Sequence, residues 1–202
     1  MTMIYSGASM SLDGYIAGPD VTGFDLLFDW MTNGTVEIQT ADPNMTMRPS
    51  EASAPRFRAF FEAGCLVVGR KLFDITNGWG GKHTLGVPVV VLTHSVPDGW
   101  EREGEWFTFV TEGGIEAAVE TAKRIAGDKD IAVNGGEMAT QALEAGLLDE
   151  LWIELVPVLL GGGTPLVFPG FDGAPASLDG PVEVIEGNRV THLRYVVRKA
   201  QS

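Results

Sequence analysis

Three short segments combine glycine with groups that can hold an anion. Gly69-Arg70-Lys71 sets two cations directly behind a glycine, Gly135-Gly136-Glu137 sets two glycines before a helical pattern, and Thr93-His94-Ser95 offers two hydroxyls and an imidazole. Glycine lets backbone come close to a ligand. Where a glycine turn leads into a helix, the first N–H groups of that helix point outward at whatever lies there. Each segment also has an ordinary reading: Gly-Gly as a tight turn, Arg-Lys as a solvated surface pair. Together they are the charges that suit a dinucleotide with an extra phosphate. A fourth segment, Ser11-Leu12-Asp13-Gly14-Tyr15, places a carboxylate in a glycine-flanked turn. Asp13 has two compatible readings, an Asx-turn former holding Gly14 or an anchor and proton-path group for a substrate amine or ring nitrogen. Trp79, inside Gly78-Trp79-Gly80-Gly81-Lys82-His83, reads either as the wall of a pocket for a planar ligand or as a loop aromatic folded onto the surface.

Other chemistries are excluded. The chain has no GxGxxG fingerprint, no GxxxxGK[ST] loop and no GxSxG elbow. His83, His94 and His192 are far apart, and Cys65 is the single cysteine, so neither a metal site nor an intrachain disulfide is supported. Cys65 lies in the apolar run Cys65-Leu66-Val67-Val68 and reads as a small buried hydrophobe. With 27 acids against 14 bases, the formal charge of −13 argues against nucleic acid and anionic membranes as partners. No signal peptide and no apolar run of spanning length is evident, so a cytoplasmic location is expected.

The elements that must position these residues alternate along the chain. Strands are expected at Met3–Met10, Cys65–Val68, Val87–Thr93, Trp106–Val110, Asp130–Asn134 and Asp149–Val156, and a closing hairpin at Val182–Glu186 and Thr191–Lys199. Helices are expected at Phe24–Met31, Ala54–Ala63, Ile115–Ala126 and Glu137–Ala145. Residues 32–54 show no periodicity and read as a long loop or lid; residues 1–54 carry seven acids and one base. The 202 residues fit one α/β domain with a mainly parallel central sheet, helices on both faces and antiparallel strands at the C-terminal edge. In such sheets ligands bind beyond the carboxyl ends of the strands. Each of the four segments follows a predicted strand.

The order of Ser11-Leu12-Asp13-Gly14-Tyr15-Ile16-Ala17, Val67-Val68-Gly69-Arg70-Lys71-Leu72-Phe73-Asp74, Val133-Asn134-Gly135-Gly136, Leu147-Leu148-Asp149-Glu150-Leu151 and Pro157 to Leu166 resembles the dihydrofolate-reductase-like superfamily. It is most similar to the reductase domain of the riboflavin-biosynthesis deaminase-reductases and their stand-alone bacterial relatives. The resemblance runs from about Met3 to Lys199 and implies a dihydrofolate-reductase-like fold and NADPH as hydride donor. It implies that Gly69 and Arg70 meet the adenosine-side phosphates, with Arg70 on the 2′-phosphate; Lys71 adds a second cation to the cofactor side. Thr93, His94 and Ser95 would then flank the adenosine. The backbone at Gly135, Gly136 and Glu137 would follow the pyrophosphate, and Ala8 and the Asp13 turn would border the nicotinamide and substrate.

Two positions depart from the family pattern. Leu72 stands where a phosphate-holding hydroxyl is common, and Tyr15 stands where a lysine commonly follows Asp-Gly. Asp25 and Asp29, on the early helix, read as solvated acids. The resemblance implies an NADPH-dependent reductase of a small heterocyclic or ribosylamino-pyrimidine substrate, with Asp13, Tyr15 and Trp79 on the substrate side. The alternative is a nucleotide-binding module with little turnover. A homodimer is expected, built on Leu151-Trp152-Ile153 and the edge hairpin.

Overall fold

The computed structural model describes residues 2–100, 106–167 and 176–199. Its strands are β1 (Ile4–Ser11), β2 (Tyr15–Ala17), β3 (Ile38–Gln39), β4 (Thr46–Met47), β5 (Cys65–Gly69), β6 (Val89–Leu92), β7 (Phe107–Val110), β8 (Ile131–Val133), β9 (Glu150–Val156), β10 (Thr164–Pro165), β11 (Leu178–Gly187) and β12 (Val190–Val197). Its helices are α1 (Phe24–Leu27), α2 (Ala54–Ala59), α3 (Arg70–Ile75), α4 (Gly114–Ala126) and α5 (Glu137–Glu144).

Eight strands form one sheet in the order β11-β12-β9-β1-β8-β5-β6-β7. From β9 to β7 all neighbours are parallel, while β12 and β11 add antiparallel strands at one edge. The expected mainly parallel sheet with an antiparallel C-terminal edge is what forms. Its β-branched runs are central because both faces are covered: Val67, Val68, Val89, Val90 and Val91 are fully buried.

The two faces are packed by different helices. On one, α4 and α5 set Ile115, Ala118, Val119, Met138 and Ala142 against Ile4, Cys65, Val67, Val90 and Ile131. On the other, α3 sets Phe73 against Val68, Val89 and Val91, and α2 sets Phe57 near Val156 and Val190. Ile115, Ala118, Val119, Ala122 and Ala126 repeat at helical spacing, which is why α4 is the longest helix.

Local outcomes differ from the sequence reading where short-range pattern is weak. Phe24–Met31 splits into α1 and a 3₁₀ turn at Asp29–Met31, and Ala54–Ala63 becomes α2 followed by a 3₁₀ turn at Phe60–Glu62. Residues 32–54 are not an open loop. They hold the β3–β4 pair, bury Ile38, and are tied down by hydrogen bonds from the Ala41 N–H to the Thr84 carbonyl and the Arg48 N–H to the Met31 carbonyl. Leu151 and Trp152 are buried within the chain, so they offer no surface to a second copy. The apolar surface left at that edge is Val182 and Val184, with half-buried Ile153, Leu193 and Tyr195.

A buried polar cluster fastens α2 to the antiparallel edge. The Arg56 Nε–H donates to Glu154 Oε1 at 2.9 Å, and the other Glu154 oxygen meets His192 Nδ1. His192 Nε2 lies 2.8 Å from Ser53 Oγ, which also accepts from the Ser50 hydroxyl at 3.0 Å. The Arg56 guanidinium sits 4.0 Å over the Trp152 ring, and Trp152 stacks on Tyr5. The side chains of Arg56, Glu154 and His192 are all at least 97% buried. Removing one partner of such a pair leaves the other charge uncompensated in the interior. Glu154→Gln is therefore expected to lower unfolding free energy by about 3–5 kcal/mol in urea denaturation. A loss below about 1 kcal/mol would show the cluster to be dispensable.

Candidate functional site

Adjacent strands β8 and β5 send their following helices to opposite faces of the sheet: α5 leaves toward the α4 side, α3 toward the α2 side. β1, the other neighbour of β8, also continues to the α2 side, where Leu27, Trp30 and Phe57 pack. The chain thus diverges on both sides of the end of β8, and in open α/β sheets a ligand crevice is expected at such a point. This is the topological switch point at which open α/β sheets take ligands. Because β1, β5, β6, β8 and β9 are parallel, the residues that follow them lie on one edge.

The glycine segments flank this crevice. The N–H of Asn134 donates to the Val67 carbonyl, and Met138 of α5 packs on the Cα of Gly69 at the facing strand end, where an added Cβ would sit 3.6 Å from its side chain. Gly135 is crowded: a Cβ there would meet Ile16 Cδ1 at 2.8 Å, Leu166 Cδ1 at 3.4 Å and Ala8 Cβ at 3.5 Å. Ala8 and Gly135 are thus brought together. Gly136 has φ +75°, a conformation that favours glycine. Its N–H, expected to serve a pyrophosphate, donates instead to the Leu166 carbonyl at 2.7 Å, because the β2–β10 pair closes over the end of β8. The N–H groups of Glu137, Met138 and Ala139 form the first turn of α5, the set a helix presents to an outside acceptor. The Glu137 side chain is exposed, with its carboxylate accepting from Gln141.

On the β5–β6 side, Arg70 gathers the expected adenosine residues. Its Nη1–H donates to the Ser95 carbonyl at 3.0 Å and reaches Thr93 Oγ1 at 3.5 Å, while its Nε–H donates to Asp74. Thr93 Oγ1 donates to the Ser95 carbonyl, fixing the turn. His94 and Lys71 are exposed beside this group, and the Leu72 side chain turns away into the Phe73 cluster.

Asp13 is neither a local Asx-turn former nor a free acid. The Gly14 N–H donates to the Ser11 carbonyl, and the Asp13 carboxylate accepts from the Ser11 hydroxyl (2.6 Å) and from the N–H groups of Leu160 (3.1 Å) and Gly161 (2.7 Å). It pins the glycine loop after β9 to the turn after β1. The Ser11 hydrogen bond, joined by those two N–H groups, holds its carboxyl below the usual carboxylate range, so at neutral pH it is an acceptor and not a proton donor. Tyr15 lies half-buried in β2 opposite Pro165.

Trp79 is not placed with Ala8 and Gly135. It packs edge-on against His83, with ring centroids 4.4 Å apart, and joins the Phe73 cluster. Burial pushes His83 down to about 4, so its ring is neutral. Burial likewise pushes the Cys65 thiol up to about 12, in keeping with an inert core residue. Asp25 is exposed, whereas Asp29 accepts from Asn33 and faces Arg189 at 3.5 Å.

The model of the RibD C-terminal domain family matches residues 2–173. The chain belongs to this family. Solved structures agree on the fold. A protein from Shewanella sp. PV-4 assigned to riboflavin biosynthesis is 24% identical, with TM-score 0.66 over 98% of this chain and 99% of that one. RibD of Acinetobacter baumannii is 14% identical, with TM-score 0.62 over 98% of this chain and 58% of that one. A dihydrofolate reductase from Enterococcus faecalis, complexed with NADP(H), is 16% identical, with TM-score 0.56 over 98% and 97%. This RibD C-terminal domain therefore spans a little over half the length of the Acinetobacter RibD. No curated protein sequence matches it significantly.

Several residues of the RibD C-terminal domain site were not singled out by sequence reasoning. Ile16 and Leu166 roof Gly135, Met138 floors Gly69, and Asp74 pairs with Arg70. Only Asp74 carried a sequence signal, its i+4 spacing from Arg70.

The Asp13 contacts give a pH dependence. A carboxyl whose folded pKa is depressed contributes its hydrogen bonds above the unfolded value and loses them as pH falls through the folded value. Leu160 and Gly161 amides are expected to be protected from hydrogen exchange at pH 7, with protection factors falling below about pH 4. Asp13→Asn should lower protection at pH 7. Unchanged protection in that variant would remove Asp13 as the tether.

Proposed function

We propose that the protein is an NADPH-dependent reductase that delivers a hydride to a small heterocyclic substrate of the ribosylamino-pyrimidine or pterin class. The observation that carries this reading is the switch point at the end of β8, where the Arg70 group after β5 and the N-terminus of α5 after β8 come to one edge of the sheet. The residues present fit the cofactor: Arg70 is partly exposed and already oriented by Thr93 and Ser95, and the first turn of α5 faces the same edge. Family membership supports a reductase, as does the likeness in fold to an NADP(H)-binding dihydrofolate reductase. A structural neighbour from Thermotoga maritima is a deaminase/5-amino-6-(5-phosphoribosylamino)uracil reductase, which supports that substrate class.

When bound, the nicotinamide supplies the hydride, and the protein's part is to position it and exclude water. Arg70 would hold the 2′-phosphate, with Lys71 and His94 adding charge and donors from the rim. The α5 amides would take the pyrophosphate in place of the Gly136 N–H. Ala8, with no bulk beyond Cβ, would border the nicotinamide, while Ile16 and Leu166 fill the space over Gly135. Asp13 keeps the loop from Leu160 to Gly163 closed on the substrate side, and Tyr15 borders it.

Binding titrations of Arg70→Ala test the reading. NADPH affinity is expected to fall by about tenfold or more, in line with loss of a charge-assisted hydrogen bond, while NADH affinity changes by less than about twofold. Equal losses for both would overturn the 2′-phosphate assignment.

A further inference from the structure

The Arg70–Asp74 pair is oriented the wrong way for a helix. A cation at the first position of α3 and a carboxylate at its fifth both oppose the helix dipole, and i,i+4 pairs stabilise helices better with the acid first. Helix stability therefore does not account for Asp74. The pair is instead held by side-chain geometry. The Nε–H of Arg70 meets both Asp74 oxygens, at 2.7 and 2.9 Å, while Nη1 is taken by Ser95 and Thr93. With side-chain exposures of 37% and 50%, both groups are open to solvent beside Thr93 and Ser95, where the dinucleotide reading puts the adenosine ribose.

The two groups favour different ligands. A guanidinium recognises a 2′-phosphate, and a carboxylate accepts from a ribose 2′-hydroxyl, the two devices that dinucleotide sites use separately. A phosphate docked on Arg70 would lie within about one guanidinium width of the Asp74 carboxylate, and like charges at such range repel even at the surface. We infer that Asp74 sets the cofactor preference of this site. It offsets Arg70, so that the site discriminates only modestly between the 2′-phosphorylated dinucleotide and its 2′-hydroxyl counterpart.

This inference rests on the dinucleotide reading of the crevice, and binding to the full chain separates the two. Dissociation constants for NADPH and NADH are measured by nicotinamide fluorescence for the wild type, Asp74→Asn and Asp74→Glu. Asp74→Asn is expected to tighten NADPH and weaken NADH, raising the ratio of affinities about tenfold and steepening the salt dependence of NADPH binding. Asp74→Glu, which keeps the charge, should stay within about threefold of the wild-type ratio. A ratio unchanged in Asp74→Asn overturns the inference and leaves the reading intact. A fall in the ratio also overturns it, showing that Asp74 orients Arg70 for the phosphate. A wild-type protein that binds neither dinucleotide overturns both.

Discussion

The site depends on where β8 enters the sheet. It is laid between β1 and β5 after β5, β6 and β7 have built outward, and among β1, β5 and β8 it alone sends its following helix to the α4 face. That choice parts the chain on both sides of one strand end. It also makes that end crowded, since β2 and β10 close over it from the other side. Gly135 follows from the crowding: Ile16, Leu166 and Ala8 already occupy the space a side chain would need. The same closure engages the Gly136 N–H, so in the proposed reading the anion falls to the first turn of α5.

Charge is distributed to match. A net −13 opposes a polyanionic ligand everywhere except where cations are held in place. Arg70, anchored by Ser95, Thr93 and Asp74, is such a place. Other charges do structural work. Arg56, Glu154 and His192 join α2 to the sheet, and Asp13 ties two loops with a carboxylate that stays ionised. Acidity in the first quarter of the chain is likewise partly internal: Asp29 pairs with Asn33 and Arg189, and Glu37 with Arg48.

Much of the fold was legible because its signals are local. Val67-Val68 and Val89-Val90-Val91 announce buried strands, and Ile115 to Ala126 announces a helix bounded by glycines. The segment from 32 to 54 was not legible, since its order comes from distant bonds such as Ala41 to Thr84 rather than from periodicity. The buried cluster was invisible for the same reason: Arg56 and Glu154 are 98 residues apart, and His192 lies 38 further on. Strand-end residues Gly69, Arg70, Thr93 and Ser95 were legible as a group because parallel strands must bring their ends to one edge. Trp79 misled because a glycine-rich loop normally stays at the surface, whereas here left-handed residues from Asn77 to Gly81 fold the indole back onto the Phe73 cluster.

The central claim is that the crevice across β8 is where a dinucleotide sits. A crystal structure of the protein with NADPH bound tests it most directly. The account predicts the pyrophosphate at the N–H groups of Glu137 to Ala139, the 2′-phosphate within hydrogen-bond reach of Arg70 and the nicotinamide beside Ala8. A dinucleotide seated elsewhere, such as the hollow of about 590 Å³ bordered by Ser50, Glu186 and Asn188, would contradict it.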